Sequence, residues 1–280
     1  MKFQIDSTFS ACLMYLPVSP QPSLRGVGEA LVHRFERVRP GPEEELMVAL
    51  RWWSVTQSLP GVRTLWVGNG LTVGSGDPDL LIASYKPDVV KLRCLGDLSM
   101  SHARILALVR DGAGADWSSL VVGSGLPKRE VESLVEGFHD IGAIRSKGRG
   151  FQLRAAWASI LPETLAVEAK VSKWREALRQ AIRNQAFTHR SYVALPAKLA
   201  KKVYEDPDFE FFGIGLLGVD ESGAVTTIKK AVKKVPTLWL YHYYLAVMVA
   251  KSQEEVASCP SSYPLRMPST YSLSTTSFAH

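Results

Sequence analysis

At 280 residues, with 46% hydrophobic and 21% charged residues, the chain is long enough to bury one large or two modest cores and too apolar to read as disordered throughout. Its formal net charge of +6 fits a polyanionic partner such as DNA, a property shared with many basic proteins that bind none. The three cysteines, Cys12, Cys94 and Cys259, lie far apart with no C-x-x-C, which speaks against a zinc knuckle or a disulfide framework and for a reducing cytoplasm.

Residues 1–24 are broken by Pro17, Pro20 and Pro22 and read as irregular. The apolar stretch Ala11 to Leu16 is too short for a signal peptide, and Leu238 to Ala250, the longest apolar run, falls short of the roughly 20 residues a membrane span needs. No membrane partner is expected, and the localisation expected is cytoplasmic. Val27, Leu31 and Phe35 recur every fourth residue and predict a helix over Arg25 to Val38, ended by Arg39-Pro40-Gly41-Pro42. Pro42 followed by Glu43, Glu44 and Glu45 predicts a second helix start, since proline tolerates the first turn and carboxylates favour the positive end of the helix dipole. Val62 to Val73 reads as extended chain turning at Gly68-Asn69-Gly70. A glycine-containing turn then brings Asp79 to the start of the apolar strand Leu80 to Ala83, and Lys86-Pro87-Asp88 forms a further turn before Val89 to Cys94.

Residues 101–154 differ in character. Three helical patterns, His102 to Arg110, Trp117 to Val122 and Pro127 to Asp140, precede two short apolar strands flanking Ser146-Lys147-Gly148-Arg149. Three helices and a basic hairpin resemble a winged helix-turn-helix. In that motif the second helix of the pair enters the DNA major groove, which puts Lys128, Arg129, Lys147 and Arg149 at positions suited to phosphates. Winged helices also dimerise or bind proteins, and this recognition helix carries Glu130, Glu132, Glu136 and Asp140.

Strand and helix patterns alternate beyond Glu163 and predict an α/β sheet with the strand through Glu168 at its centre. Glu168 and Lys170 are two apart and share a strand face, while Val167, Ala169 and Val171 take the other. In the next helix, Trp174, Ala177, Leu178 and Ala181 form a packing face. Glu176, Gln180 and Asn184 form a polar stripe, and Arg175, Arg179 and Arg183 a basic one suited to DNA. Ser191 to Leu195 is the next strand, followed by a lysine-rich helix, the strand Gly213 to Val219, a return through Val225 to Ile228 and an aromatic helix over Thr237 to Ala250. That last helix either completes the core, the favoured role, or pairs two copies as a homodimer. From Ser258 the Ser/Pro/Thr-rich tail reads as disordered.

Asp79 opening one strand, Glu168-Ala169-Lys170 on another, a helix bearing Gln180, and Ser191 to Leu195 together resemble the core of the PD-(D/E)XK nuclease superfamily. The resemblance implies a restriction-endonuclease-like mixed sheet flanked by helices, divided into residues 25–100 and 155–257, with the winged helix of residues 101–154 inserted. It implies a Mg2+- or Mn2+-dependent nuclease in which Asp79, Glu168 and the Ala169 carbonyl hold the metal. Lys170 would activate the attacking water, Gln180 would orient substrate, and a first-helix glutamate would complete the site. Glu45, deepest in its helix, is preferred to Glu43 and Glu44, and Asp79 to Asp77 and Asp88. In one subgroup a tyrosine follows such a glutamine by four; here Asn184 stands there. The alternative from another class is a DNA-binding or regulatory protein that keeps the fold without catalysis.

Overall fold

The computed structural model describes residues 29–34, 41–55, 64–70, 72–74, 76–111 and 115–258. The segment 1–24 and the tail beyond Ser258 lie outside the described residues. Among the described residues a mixed seven-stranded sheet runs β1(Glu29–Arg34), β2(Thr64–Asn69), β3(Leu80–Ser84), β6(Glu163–Ala169), β7(Arg190–Pro196), β8(Gly215–Val219) and β9(Val225–Lys229) from edge to edge. A separate hairpin pairs β4(Ile144–Lys147) with β5(Gly150–Leu153). β6 is the fourth of the seven strands, so the strand through Glu168 is central, as expected. It runs parallel to β7 and antiparallel to β3.

Alternation along β6 divides the core into two faces. Leu165, Val167 and Ala169 join Leu46, Met47, Ala49 and Leu50 of helix α1(Pro42–Val55) on one face. On the other, Val193, Leu195 and Leu216 pack with Ala177, Leu178 and Ala181 of α6(Trp174–Asn184), with α7(Ala197–Val203) and α8(Pro207–Phe211) beside them. Leu81, Ala83 and Ala166 continue this second face under the aromatic helix α9(Trp239–Ser258).

Between β3 and β6 the chain forms a 3-10 helix, Pro87–Leu95, then α2(Met100–Asp111), α3(Trp117–Ser124), α4(Lys128–Asp140), the β4–β5 hairpin and α5(Ala155–Ala158). Asp116 caps α3 by accepting from the Ser119 N–H at 2.8 Å, and Gly125 ends that helix in the left-handed conformation at φ 66°. α4 turns Val131, Val135 and Phe138 inward. α2 and α9 share one core, in which Tyr243, Leu245, Ala246, Val247, Val249 and Ala250 are fully buried. The aromatic helix therefore completes the core, the favoured expectation. Among the described residues no helix is long and apolar enough to cross a membrane.

Two local expectations are corrected. Glu29–Arg34 is not helical but a strand paired in parallel with β2. Two of the three residues that suggested a helix, Val27 and Phe35, lie outside the described residues, and over Glu29–Arg34 backbone pairing to a distant neighbour decides the conformation. Gly68 and Asn69 are the end of β2 rather than a turn; the reversal comes later, where Val73 and Gly76 bridge each other. α5 and α8 were not anticipated.

Two histidines sit where α9 meets the sheet. His242 lies with Nδ1 3.0 Å from the Phe187 carbonyl, and its ring is edge-on to His189 at 5.3 Å. Burial is the main cause that lowers both, His242 to about 3 and His189 to about 4. The unfolded chain binds protons below pH 6.5 that the folded state refuses, so stability is lost as the pH falls from about 6.5 toward about 4 for His189 and about 3 for His242. In thermal unfolding, His242→Gln is expected to lose less Tm than the parent chain over that window; equal losses would show that His242 does not contribute.

Candidate active site

The site is built by the register of β3 against β6. Leu80 pairs with Val167, so one further step sets Asp79 opposite Glu168, and side chains opposite each other on adjacent strands share a face. The connection is direct: Asp79 Oδ2 accepts the Ala169 N–H at 2.8 Å and lies 3.7 Å from Lys170 Nζ. Lys170 is itself largely buried, with its side chain 15% exposed, and its N–H donates to the Ala194 carbonyl at 3.1 Å. Glu168 is buried, and its Oε1 accepts from Asn184 Nδ2 at 2.7 Å. Its second oxygen, Oε2, is buried with no hydrogen-bond partner, as is Oε1 of Gln180. Leaving a buried acceptor unmet costs about 1–3 kcal/mol, so the free Glu168 oxygen, beside a second carboxylate, marks the place where a cation could be held.

Both carboxyls are pushed upward. Burial raises Glu168 most, the charge of Asp79 raises it further, and Asn184, Lys170 and Arg183 oppose this, leaving it at about 8. Burial likewise raises Asp79 above the ordinary aspartate range, against the pull of Lys170 and the Ala169 N–H and with a further push from Glu43. Glu163, at the other end of the same strand, makes the contrast. Burial opposes its ionisation too, but hydrogen bonds from Lys233 and Arg190 outweigh burial and hold it below the ordinary range. One buried glutamate of β6 is neutralised by two cations, and the other faces a second carboxylate.

The remaining candidates disperse. Of the three glutamates opening α1, Glu43 acts electrostatically on Asp79, Glu44 pairs with Arg51 at 2.8 Å, and Glu45 is exposed on a depression of about 840 Å3 that it lines with Val171 and Pro196. Asp88 is engaged by Lys91 at 2.6 Å and Asp77 is exposed, so Asp79 is the aspartate that reaches Glu168. Arg175, Arg179 and Arg183 occupy the exposed side of α6, with Arg175 lying over the Trp174 ring at 4.2 Å. Lys128 and Arg129 are exposed at the start of α4, where Lys128 lies 3.6 Å from Glu132, and Lys147 and Arg149 are exposed at the tip of the β4–β5 hairpin.

Asn184 is the residue whose place in the site went unrecognised. It belongs to the polar stripe of α6, yet it is 1% exposed. Its spacing carried the signal: Asn184 follows Ala181 by three and Ala177 by seven, which puts it on the packing face as well as the polar one.

Among the described residues no group of three or more His, Cys, Asp or Glu side chains is arranged to hold a metal ion. The donor set is the two carboxylates of Asp79 and Glu168, of which Glu168 Oε2 has no partner. These all-oxygen donors fit a hard divalent cation that keeps part of its water shell. Without a cation, the raised Glu168 makes the folded state hold a proton that the unfolded state has released between pH 4.5 and about 8, so raising the pH through that window removes stability. Glu168→Gln cannot ionise. In metal-free buffer its Tm should therefore gain on that of the parent chain from pH 5 upward, with the gap levelling above about pH 8; a gap independent of pH would mean that Glu168 titrates normally.

Comparison of the chain with protein-family models, with curated proteins and with solved structures found no match to any of them.

Proposed function

We propose that the chain is a Mg2+- or Mn2+-dependent DNA endonuclease of PD-(D/E)XK type that hydrolyses phosphodiester bonds. Its core would be of restriction-endonuclease-like fold, with a winged helix-turn-helix inserted at residues 101–154. The observation that carries this reading is the meeting of Asp79 with Ala169 and Lys170, 90 positions apart for the hydrogen-bonded pair, beside a buried glutamate with one oxygen unmet. The mixed sheet, with α1 on one face and α6 on the other, supports the fold assignment, and α2 to α4 followed by the β4–β5 hairpin support the inserted module.

In this reading Asp79 and Glu168 hold the cation with the Ala169 carbonyl. Bound there, a divalent cation neutralises phosphate charge and lowers the pKa of a coordinated water. Lys170, fixed within 3.7 Å of Asp79, orients the attacking water and stabilises negative charge as it develops on the phosphate. Gln180 supplies an amide to position water or substrate. The basic stripe of α6 and the hairpin tip hold the DNA backbone, contributions that position without reading sequence.

Purified protein should cleave DNA in Mg2+ or Mn2+ when offered single-stranded, duplex and branched forms. Asp79→Ala and Lys170→Ala should each lower the rate on the order of 100-fold or more while remaining folded. Equal cutting by parent and variants would identify a contaminating nuclease. DNA binding without cleavage of any form would favour the non-catalytic, regulatory reading.

Replacing Lys147 and Arg149 by alanine should weaken binding to all sequences alike and reduce the salt dependence, a log–log slope, by about one for each phosphate no longer neutralised. No change would restrict the hairpin to a structural role, a result with which the acidic Glu130, Glu132, Glu136 and Asp140 of α4 would agree.

A further inference from the structure

Asn184 is buried, with its amide nitrogen hydrogen-bonded and its amide oxygen packed close against a glycine. Nδ2 donates to Glu168 Oε1 at 2.7 Å, and Oδ1 lies against Gly76, where a Cβ would stand 2.5 Å away. Its backbone is fixed as well, because its carbonyl accepts from the Thr188 hydroxyl at 2.7 Å. Gly76 belongs to the turn that delivers Asp79 to β3, and its N–H and carbonyl are bridged to Val73 at 3.1 and 2.9 Å. On the far side of that turn Gly74, at φ +57°, leaves no room for a side chain against Tyr241 of α9. The turn is thus held between α9 and Asn184, and Asn184 between the turn and Glu168.

The chemistry of the donors matters as much as their position. Asp79 Oδ2 is held by the Ala169 N–H and by the Lys170 ammonium, whereas the oxygen of Glu168 that is tied down is tied by a neutral donor, the Asn184 amide. A neutral donor orients a carboxylate without cancelling its charge, whereas Lys233 and Arg190 do cancel that of Glu163. We propose that Asn184 is the positioning residue of this site: it ties down one oxygen of Glu168 so that Oε2 is presented to a divalent cation, and Gly76 holds the amide in place. The proposal rests on the metal-dependent reading above. It adds a residue that acts through Glu168 and touches neither cation nor substrate.

The test is Mn2+ affinity of the full chain, measured by isothermal titration and by electron paramagnetic resonance, for the parent chain, Asn184→Ala, Gly76→Ala and Asp79→Ala. Removing a group that orients a metal ligand typically weakens binding 10- to 100-fold. Asn184→Ala is expected to fall by roughly that factor, and Gly76→Ala, which displaces the amide without deleting it, to fall less. Cleavage by both should lose kcat with little change in KM for DNA, and circular dichroism should match the parent. If Asn184→Ala fails to fold, Gly76→Ala carries the test. Parent-like Mn2+ affinity in both variants, with loss in Asp79→Ala, overturns the role of Asn184 and leaves the nuclease reading standing. A parent chain that binds no Mn2+ overturns both.

Discussion

The antiparallel pairing of β3 with β6 is the constraint on which the site depends. Its register puts Asp79 across from Glu168, and the Ala169 N–H bonded to Asp79 Oδ2 extends the ladder from backbone to side chain. A slip of one residue would send Asp79 to the opposite face and put Leu80 against Glu168. The slip is resisted because Leu80 and Ile82 fill the α1 face while Leu81 and Ala83 fill the other, so every residue of β3 would be moved into the wrong core. The geometry of two carboxylates is thus secured by packing that has no polar chemistry of its own.

Burying carboxylates is costly, and β6 meets the cost in two ways. At Glu163 two cations are brought in from β7 and the connector before α9, and the group becomes an anchor with its charge satisfied. At Glu168 the surroundings are an amide and another carboxylate, and the Lys170 ammonium lies 3.7 Å from that second carboxylate. The same residue type on one strand is thus stabilised at one end and left wanting at the other. The proposed role of Glu168 at a cation would use this imbalance, since a ligand brought there would supply the partner the fold does not.

Much of this was legible in the chain. Alternation over Leu165 to Ala169 and the 3.6-residue spacing over Trp174 to Ala181 are local signals, and both elements formed as read. So did the three helices and hairpin of residues 100–153, whose turns are marked by Gly125 and Gly148. What escaped was nonlocal. Glu29–Arg34 is a strand because β2 lies beside it, and no window along the sequence contains β2. Asn184 read only as part of a polar stripe because its partners, Glu168 and Gly76, come from a neighbouring strand and from a turn before the long insertion. Among the α1 glutamates, depth in the helix was the argument for Glu45; the charge that bears on Asp79 is that of Glu43, a relation set by how the helix sits on the sheet and not by position along it.

The excursion from β3 to β6 leaves and returns at a single point. Ser84 and Glu163, 79 positions apart, are register partners, and the Ser84 hydroxyl both donates to the Glu163 carbonyl and accepts its N–H. That staple lies at the end of the strands away from Asp79 and Glu168. A body attached there alone would swing like a pendant, but α9, arriving from the other end of the chain, braces it through α2 and the 3-10 helix. Arg110 adds to the brace, with its guanidinium 3.3 Å from the centre of the Trp239 ring. The module is therefore a cantilever with two supports, which holds its hairpin tip at a set span from the carboxylates, as a ruler rather than a tether.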